Sequence, residues 1–427
     1  MGQGILTSGF SRVDGILSCE GVSLERIAAD VGTPVYVYSA AMVRDRYARL
    51  DGALAPLTHR VHYTLKANSN AGILRVLREL GAGVDVVSGG ELYRARRAGF
   101  RGEDIIFGGV GKTEQELREA LLAGVLLINA ESEAEVRSID RIAGELGVSA
   151  PVGLRVNPEV TVDSSHRYIK TGEKGAKFGI PFDEVLSVAR LAAGLPHTAL
   201  LGLDMHLGSQ LFRLDPYLDG IDRLVGLLDQ LRASGIDTVR YLDIGGGLGV
   251  SYDEEESPDL NRFAQALVSR VHPTGLTLLM EPGRFVVGNS GMLLTRVLYR
   301  KHSGGRDFLV TDAGMTELIR PSHYDAYHRI EPVSAPVGHM KADVVGPVCE
   351  SGDFLALDRE MPQASPGDLL GVHDVGAYGY VMASNYNTRP RGAEVLVDGD
   401  RYAVVTARET YDDLVHLELD HPEWRKG

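Results

Sequence analysis

From Val61 onward the chain repeats one pattern eight times: a short run rich in β-branched and aliphatic residues, followed by a longer segment with apolar residues at helical spacing. The runs are VHYTLK, GVDVVS, DIIFGG, VLLINA, PVGLRVN, LLGLDMHLGS, RYLDIGGG and LTLLMEPGR. Between them lie segments such as AGILRVLREL, GELYRARRAG, TEQELREALLAG and AEVRSIDRIAGELG, with charges between the apolar positions. Each strand must bury its faces against neighbours. Eight βα units in about 250 residues fit a closed (β/α)8 barrel of the TIM type, with an open doubly wound α/β sheet as the alternative.

After Gly288 the pattern changes to strand-like stretches separated by turn residues, as in MLLTRVLYRK, DFLVTD, KADVVGPV, DLLGVHDV and AEVLVDGDRYAVVTA. This predicts a β domain. The segment TPVYVYS, ahead of the first barrel helix, is strand-like too and would complete that domain from the N-terminal side. The expected division is a barrel over 37–288 and a β domain built from 1–36 and 289–427. The acidic patch Asp253–Glu256 reads as a solvated loop.

Composition removes several classes of function. Lys and Arg total 44 against 58 Asp and Glu, a formal charge of −14, which would repel a phosphate backbone or an anionic membrane surface. No nucleic-acid or membrane partner is therefore expected. The N-terminal MGQGILTSGF lacks a basic start and an apolar run, and no apolar stretch nears the roughly 20 residues needed to cross a bilayer, so a cytoplasmic protein is expected. Only Cys19 and Cys349 are present, too few for a disulfide framework or a cysteine zinc site, and no HExxH supplies metal ligands.

Two motif fragments fail on inspection. FGGVGKT ends like a phosphate-binding P-loop, but the first glycine of that motif would have to stand at Ile106. DIGGGLGV resembles a dinucleotide fingerprint, but Val250 occupies the place of the third glycine.

In a barrel, chemistry gathers at the C-terminal ends of the strands, and the reactive-looking residues stand there. Lys66 closes VHYTLK, where desolvation would lower its pKa and let its amine condense with a carbonyl; read alone, it is also a snorkelling surface lysine. Gly245, Gly246 and Gly247 end a strand with three residues lacking Cβ, so their N–H groups can approach an anion; a tight turn explains them equally well. Glu281-Pro282-Gly283-Arg284 places a carboxylate and a guanidinium on one loop. Together these groups match what pyridoxal phosphate requires: an amine for its aldehyde, donors for its phosphate and an acid for its ring nitrogen.

The ordered set YTLKAN, HLGSQ, DIGGGLG, EPGR, CESGD and GAYGYVMASNYNTRPR, with the connecting stretch HRYIKTGEKGAKFGI, resembles the fold type III pyridoxal-phosphate decarboxylases from Gly32 to about Val397. The resemblance implies an alanine-racemase-type barrel with a β domain, working as a homodimer whose active sites are shared across the interface. It assigns Lys66 as the covalent anchor of pyridoxal 5'-phosphate and lays His206 against one face of the ring. Ser209, the Gly247 amide, Arg284 and Tyr378 would hold the phosphate, Gly246 and Gly283 would also bind the cofactor, and Glu281 would face the ring nitrogen. Asp85, Glu91 and Arg155 would line the same mouth. Cys349 and Glu350 would reach the partner's site, with Cys349 or Lys66 returning a proton to the product.

Substrate choice is expected in Arg320, Tyr324 and Glu350, alongside Arg284 and Tyr378. Arg320 and Tyr324 stand four residues apart, so one helical turn could present both on one face. Arg320 would repel a substrate whose distal end is only an ammonium, such as ornithine or lysine. A substrate like meso-diaminopimelate offers a distal carboxylate to Arg320 and a distal ammonium to Glu350. Another basic or acyl-amino acid is the alternative substrate, and a catalytically silent regulatory homologue is the non-enzyme reading; the latter would be expected to lose Lys66 or Cys349, and both are present.

Overall fold

The computed structural model describes residues 9–160, 175–253 and 258–425. Most of HRYIKTGEKGAKFGI, residues 254–256 of the acidic patch and residues 1–8 lie outside the described residues. The chain divides into two compact units. One comprises Ala40–Ser290 with Gly376–Tyr378; the other takes the described residues up to Ser39, Gly291–Val375 and the chain from Gly379.

The first unit is a closed barrel of eight parallel strands: β1 His59–Thr64, β2 Gly83–Val86, β3 Ile105–Phe107, β4 Leu127–Ala130, β5 Ala150–Asn157, β6 Thr198–Asp204, β7 Tyr241–Asp243 and β8 Thr277–Met280. Each pairs with the next, and β8 returns to β1. All eight expected strands are present.

Residues paired across a ladder point the same way, so the register carries one inward-facing set around the barrel. Thr64 pairs with Asp85, and Asp85 with Ile106. Asn129 pairs with Gly153, Arg155 with Asp204, Asp204 with Asp243, and Asp243 with Leu279. Ile106, Leu127 and Leu279 pack into one buried apolar cluster. Two residues further along their strands, toward the C-terminal end, come Asn129 and Glu281, so an apolar plug gives way to a polar layer at the mouth. Small residues make room for both layers: a Cβ on Gly153 would come within 2.2 Å of Asn129 Oδ1, and one on Gly202 within 2.8 Å of Leu127.

The helices begin at the same end as the polar layer, and their caps are written in the sequence. Asn70, Ser88, Thr113 and Ser132 accept hydrogen bonds from the N–H groups of Gly72, Glu91, Glu116 and Glu135. Each cap satisfies an orphan donor and fixes where a βα loop ends. Among the described residues no helix is long and apolar enough to cross a membrane.

The second unit is a sheet domain. Strand Gly291–Ser303 is central, pairing antiparallel with Arg306–Thr311, Leu369–Val372 and Val35–Ser39. Val35–Ser39 pairs in parallel with Ala393–Asp398. A core of Leu17, Leu24, Ile27, Val35, Val37, Met292, Leu294 and Val395 fills one side. The expected division at residue 37 falls inside a strand that pairs along all five residues, so the change of unit comes after Ser39. Gly376–Tyr378, expected in the β domain, belongs to the barrel unit instead. Three hydrogen bonds hold it there: Tyr378 N–H to the Ala67 carbonyl at 2.8 Å, Asn68 Nδ2 to the Gly376 carbonyl at 3.0 Å, and Gly376 N–H to the Gly288 carbonyl at 3.0 Å.

Candidate active site

Lys66 stands two residues beyond β1, and its Nζ donates to Asp85 Oδ2 at 3.1 Å. Asp85 is buried, while the lysine side chain is 31% exposed. The lowered lysine pKa expected from the sequence does not occur. Burial pushes in that direction, but the charges of Asp85 and Glu281, with Tyr378, outweigh it and hold the ammonium above its ordinary value. Glu91, in the first turn of the helix Gly89–Arg97 that follows β2, accepts the Val87 N–H at 2.8 Å. Burial pushes its carboxyl up to about 7 against the lowering effect of that bond.

Below Lys66 lies the polar layer. One oxygen each from Asp204, Asp243 and Glu281 lies within 4.8 Å of the others, and all three residues are buried. Asp204 Oδ1 and Asp243 Oδ2 have no hydrogen-bond partner among the described residues. Burial, reinforced by the neighbouring carboxylates, pushes Glu281 and Asp204 well up and Asp243 up to about 6. Carboxylates this close do not all ionise without a cation to share. Arg155 supplies one at the side, bound to Glu131 at 2.7 Å and lying over the Phe178 ring at 4.9 Å.

This crowding has a measurable consequence. Because the folded pKa of Asp243 lies above the roughly 3.9 of an unfolded aspartate, the native state holds an extra proton between pH 4 and 6, and its stability falls as pH rises through that window. Asp243→Asn removes this dependence. In the cofactor-free protein, melting curves of the variant relative to the wild type should shift in the variant's favour by about 2 kcal/mol between pH 4 and 6.5. A difference independent of pH would show that Asp243 is not a strained acid.

The other end of the mouth is built for an anion. Gly245 and Gly247 take φ of +65° and +106°, and the glycine loop runs backbone against backbone. A Cβ on Gly246 would come within 2.1 Å of the Glu281 carbonyl, and one on Gly247 within 2.4 Å of the Gly208 carbonyl. Gly246 N–H donates to His206 Nδ1 at 3.2 Å, so that nitrogen is an acceptor. Burial and the charges of Lys66 and Arg155 lower the His206 pKa, keeping the imidazole neutral. Arg284 opens the helix Arg284–Val287; its Nε donates to Ser209 Oγ at 3.2 Å and its Nη1 to Tyr252 Oη at 2.6 Å. Its guanidinium lies 4.8 Å from the Tyr378 ring centre. Gly283 serves packing: a Cβ there would come within 2.5 Å of Thr64 and 2.8 Å of Ala67.

Arg320, Tyr324, Cys349 and Glu350 belong to the second unit. Arg320 is buried and Tyr324 partly buried, at the two ends of the helix Arg320–Tyr324. Cys349 and Glu350 are exposed on a loop organised by the buried Asp353, which accepts the N–H groups of Met315 and Val348, both at 2.6 Å. Cys349 N–H donates to Asn387 Oδ1 at 2.9 Å.

Within the barrel unit the fold gathers Lys66, Asp85, Glu91, Arg155, His206, Ser209, the glycine loop, Glu281, Arg284 and Tyr378. Sequence reading missed Asp204, Asp243, Glu131 and Tyr252. A signal existed for two of them: Asp204 and Asp243 each end a strand two positions before His206 and Gly245, residues already singled out.

An amine above a layer of buried acids, with an arginine, a serine and a glycine loop at the other end, fits pyridoxal phosphate. The acids match a protonated ring nitrogen and the loop matches the phosphate. The chain belongs to the pyridoxal-dependent decarboxylases: residues 40–288 match the pyridoxal-binding domain of that family. Within it, similar relatives are named diaminopimelate decarboxylases. The chain is 50% identical to the one from Pseudomonas aeruginosa over 95% of its own length and 97% of the relative's. It is 46% identical to the Vibrio cholerae enzyme over 96% and 98%. Among solved structures, the Helicobacter pylori diaminopimelate decarboxylase complexed with L-lysine superposes with a TM-score of 0.89 at 38% identity, covering 92% of this chain and 98% of that one. The M. jannaschii enzyme gives 0.92 at 32% identity, covering 97% and 98%.

Proposed function

We propose that this chain decarboxylates meso-2,6-diaminopimelate to L-lysine and carbon dioxide, with pyridoxal 5'-phosphate held by Lys66, Asp85, His206, Ser209, Gly246, Gly247, Glu281, Arg284 and Tyr378. The observation that carries the reading is the Lys66–Asp85 pair standing over the buried acids in the same unit as the Arg284–Ser209 pair. The names of the relatives support the choice of substrate.

When bound, pyridoxal phosphate supplies an electron-withdrawing ring that accepts the electron pair left as carbon dioxide departs. The chain's own residues prepare that event. Asp85 orients the Lys66 amine and keeps its proton available for exchange at Nζ. Glu281, with Asp243 and Asp204 beside it, provides a negative field that favours a protonated ring nitrogen. His206, fixed by the Gly246 N–H and kept neutral, offers a flat ring face without adding positive charge. Arg284 would neutralise the phosphate, with Ser209 and the Gly247 N–H as further donors. The broken carbon–carbon bond is replaced by a carbon–hydrogen bond, for which Cys349 is the proposed proton donor and Lys66 the second choice.

Cys349 and Glu350 are proposed to act in the site of a second copy, which makes the working enzyme a homodimer. One assay tests both readings: carbon dioxide release from diaminopimelate, lysine, ornithine and arginine by the purified protein. Diaminopimelate should be the preferred substrate, and preference for another would overturn the assignment. Mixed Lys66→Ala and Cys349→Ala chains should recover part of the activity lost in each. No recovery despite proven subunit exchange would place each site within a single chain.

A further inference from the structure

Arg320 is buried, and its Nη1 lies 3.0 Å from Nε2 of His328, which is itself fully buried. A guanidinium only donates, so Nε2 must accept. The other ring nitrogen, Nδ1, lies 2.8 Å from the carbonyl oxygen of His373, which only accepts, so Nδ1 must carry the proton. The two contacts together define a neutral imidazole in one tautomer. The ring is held from its backbone as well: Arg359 Nη1 donates to the His328 carbonyl at 2.8 Å, and the Arg359 guanidinium stacks over the neighbouring Tyr327 ring at 4.1 Å. His373, whose carbonyl fixes the tautomer, is anchored by its own N–H to the Arg329 carbonyl at 2.9 Å and by Nε2 to Glu331 at 2.8 Å.

The choice of a neutral acceptor matters. A carboxylate in the place of His328 would orient Arg320 but would also neutralise it, leaving little attraction for an incoming anion. An imidazole with its lone pair on the guanidinium fixes the plane of the fork without itself adding a negative charge. We propose that His328 is the positioning residue of Arg320, a neutral, single-tautomer acceptor that presents the guanidinium to the distal carboxylate of the substrate. This rests on the reading of Arg320 as the group that meets that carboxylate.

The test is steady-state decarboxylation of meso-diaminopimelate by the holoenzyme carrying His328→Leu, His328→Gln or Arg320→Ala, with the visible spectrum of the bound cofactor recorded for each. His328→Leu should raise KM about 10-fold or more, as expected when a charged group loses a buried hydrogen bond. Its kcat should stay within roughly twofold and its cofactor spectrum should be unchanged, since the loss is in binding. Glutamine, whose side-chain oxygen can reach the Nε2 position, should restore most of the affinity. If Arg320→Ala leaves KM unchanged, the reading of Arg320 has failed. If Arg320→Ala raises KM and His328→Leu folds but does not, the inference about His328 alone has failed. Nitrogen NMR of the wild-type enzyme labelled at histidine provides an arm independent of folding. The resonances absent from His328→Gln should be those of a neutral, Nδ1-protonated ring; an imidazolium or an Nε2-protonated ring overturns the proposal.

Discussion

Lys66→Ala should lower decarboxylation by about 10³-fold or more, because it removes the amine proposed to anchor the cofactor. The surroundings of Lys66 are specific to an amine at that place. Asp85 is buried with its oxygen 3.1 Å from Nζ, and Glu281, just beyond the neighbouring strand β8, adds to the negative field around the amine. A neutral methyl leaves those acids facing one another, so the cofactor-free variant should also melt at a lower temperature than the wild type at neutral pH, and this gap should narrow as the solution is acidified and the acids take up protons. Borohydride treatment of the wild-type holoenzyme, followed by peptide mapping, should find pyridoxal phosphate fixed to the peptide carrying Lys66. An adduct on another lysine, or turnover retained by Lys66→Ala, would remove Lys66 from the chemistry.

Much of this was legible in the sequence because the barrel writes itself locally. Each strand is short, several helices carry their own caps, and alternation along a strand decides which residues face inward. Lys66, His206, Glu281 and Arg284 could therefore be placed at strand ends from their neighbours alone. Other features depend on pairing between distant segments. Asp204 and Asp243 look like ordinary strand-end acids until the register sets them beside each other and Glu281. The charge state of Lys66 was misread for the same reason: desolvation is a local expectation, whereas the acids that outweigh it arrive from β2 and the end of β8. In the sheet unit, Val35–Ser39 lies between Gly291–Ser303 and Ala393–Asp398, segments more than 250 residues away in sequence. Nothing in the alternation of VYVYS distinguishes those partners from other strands. Tyr378 shows the same effect, since its hydrogen bond to Ala67 and its ring beside Arg284 show that a residue from the late β-rich sequence belongs with the barrel.

Arg320→Ala should depress kcat/KM for meso-diaminopimelate by roughly 2 to 5 kcal/mol while leaving the spectrum of the bound cofactor intact. The size of the effect follows from burial. Arg320 is 6% exposed, so the carboxylate it is proposed to meet is taken out of water, and a guanidinium can meet a carboxylate through two parallel hydrogen bonds. Lysine, the product, lacks the distal carboxylate and cannot replace the interaction. A site built around a polar contact rejects an analogue without it by about 10⁴-fold or more, which both excludes lysine as a substrate and favours its departure. Glu350→Ala should weaken recognition of the distal ammonium more modestly, because Glu350 is exposed and its charge is partly screened by solvent. The decisive measurement is steady-state kinetics of both variants on diaminopimelate, with the wild type also tried on lysine and ornithine. Normal diaminopimelate kinetics in Arg320→Ala would mean that the distal carboxylate is read by another cation.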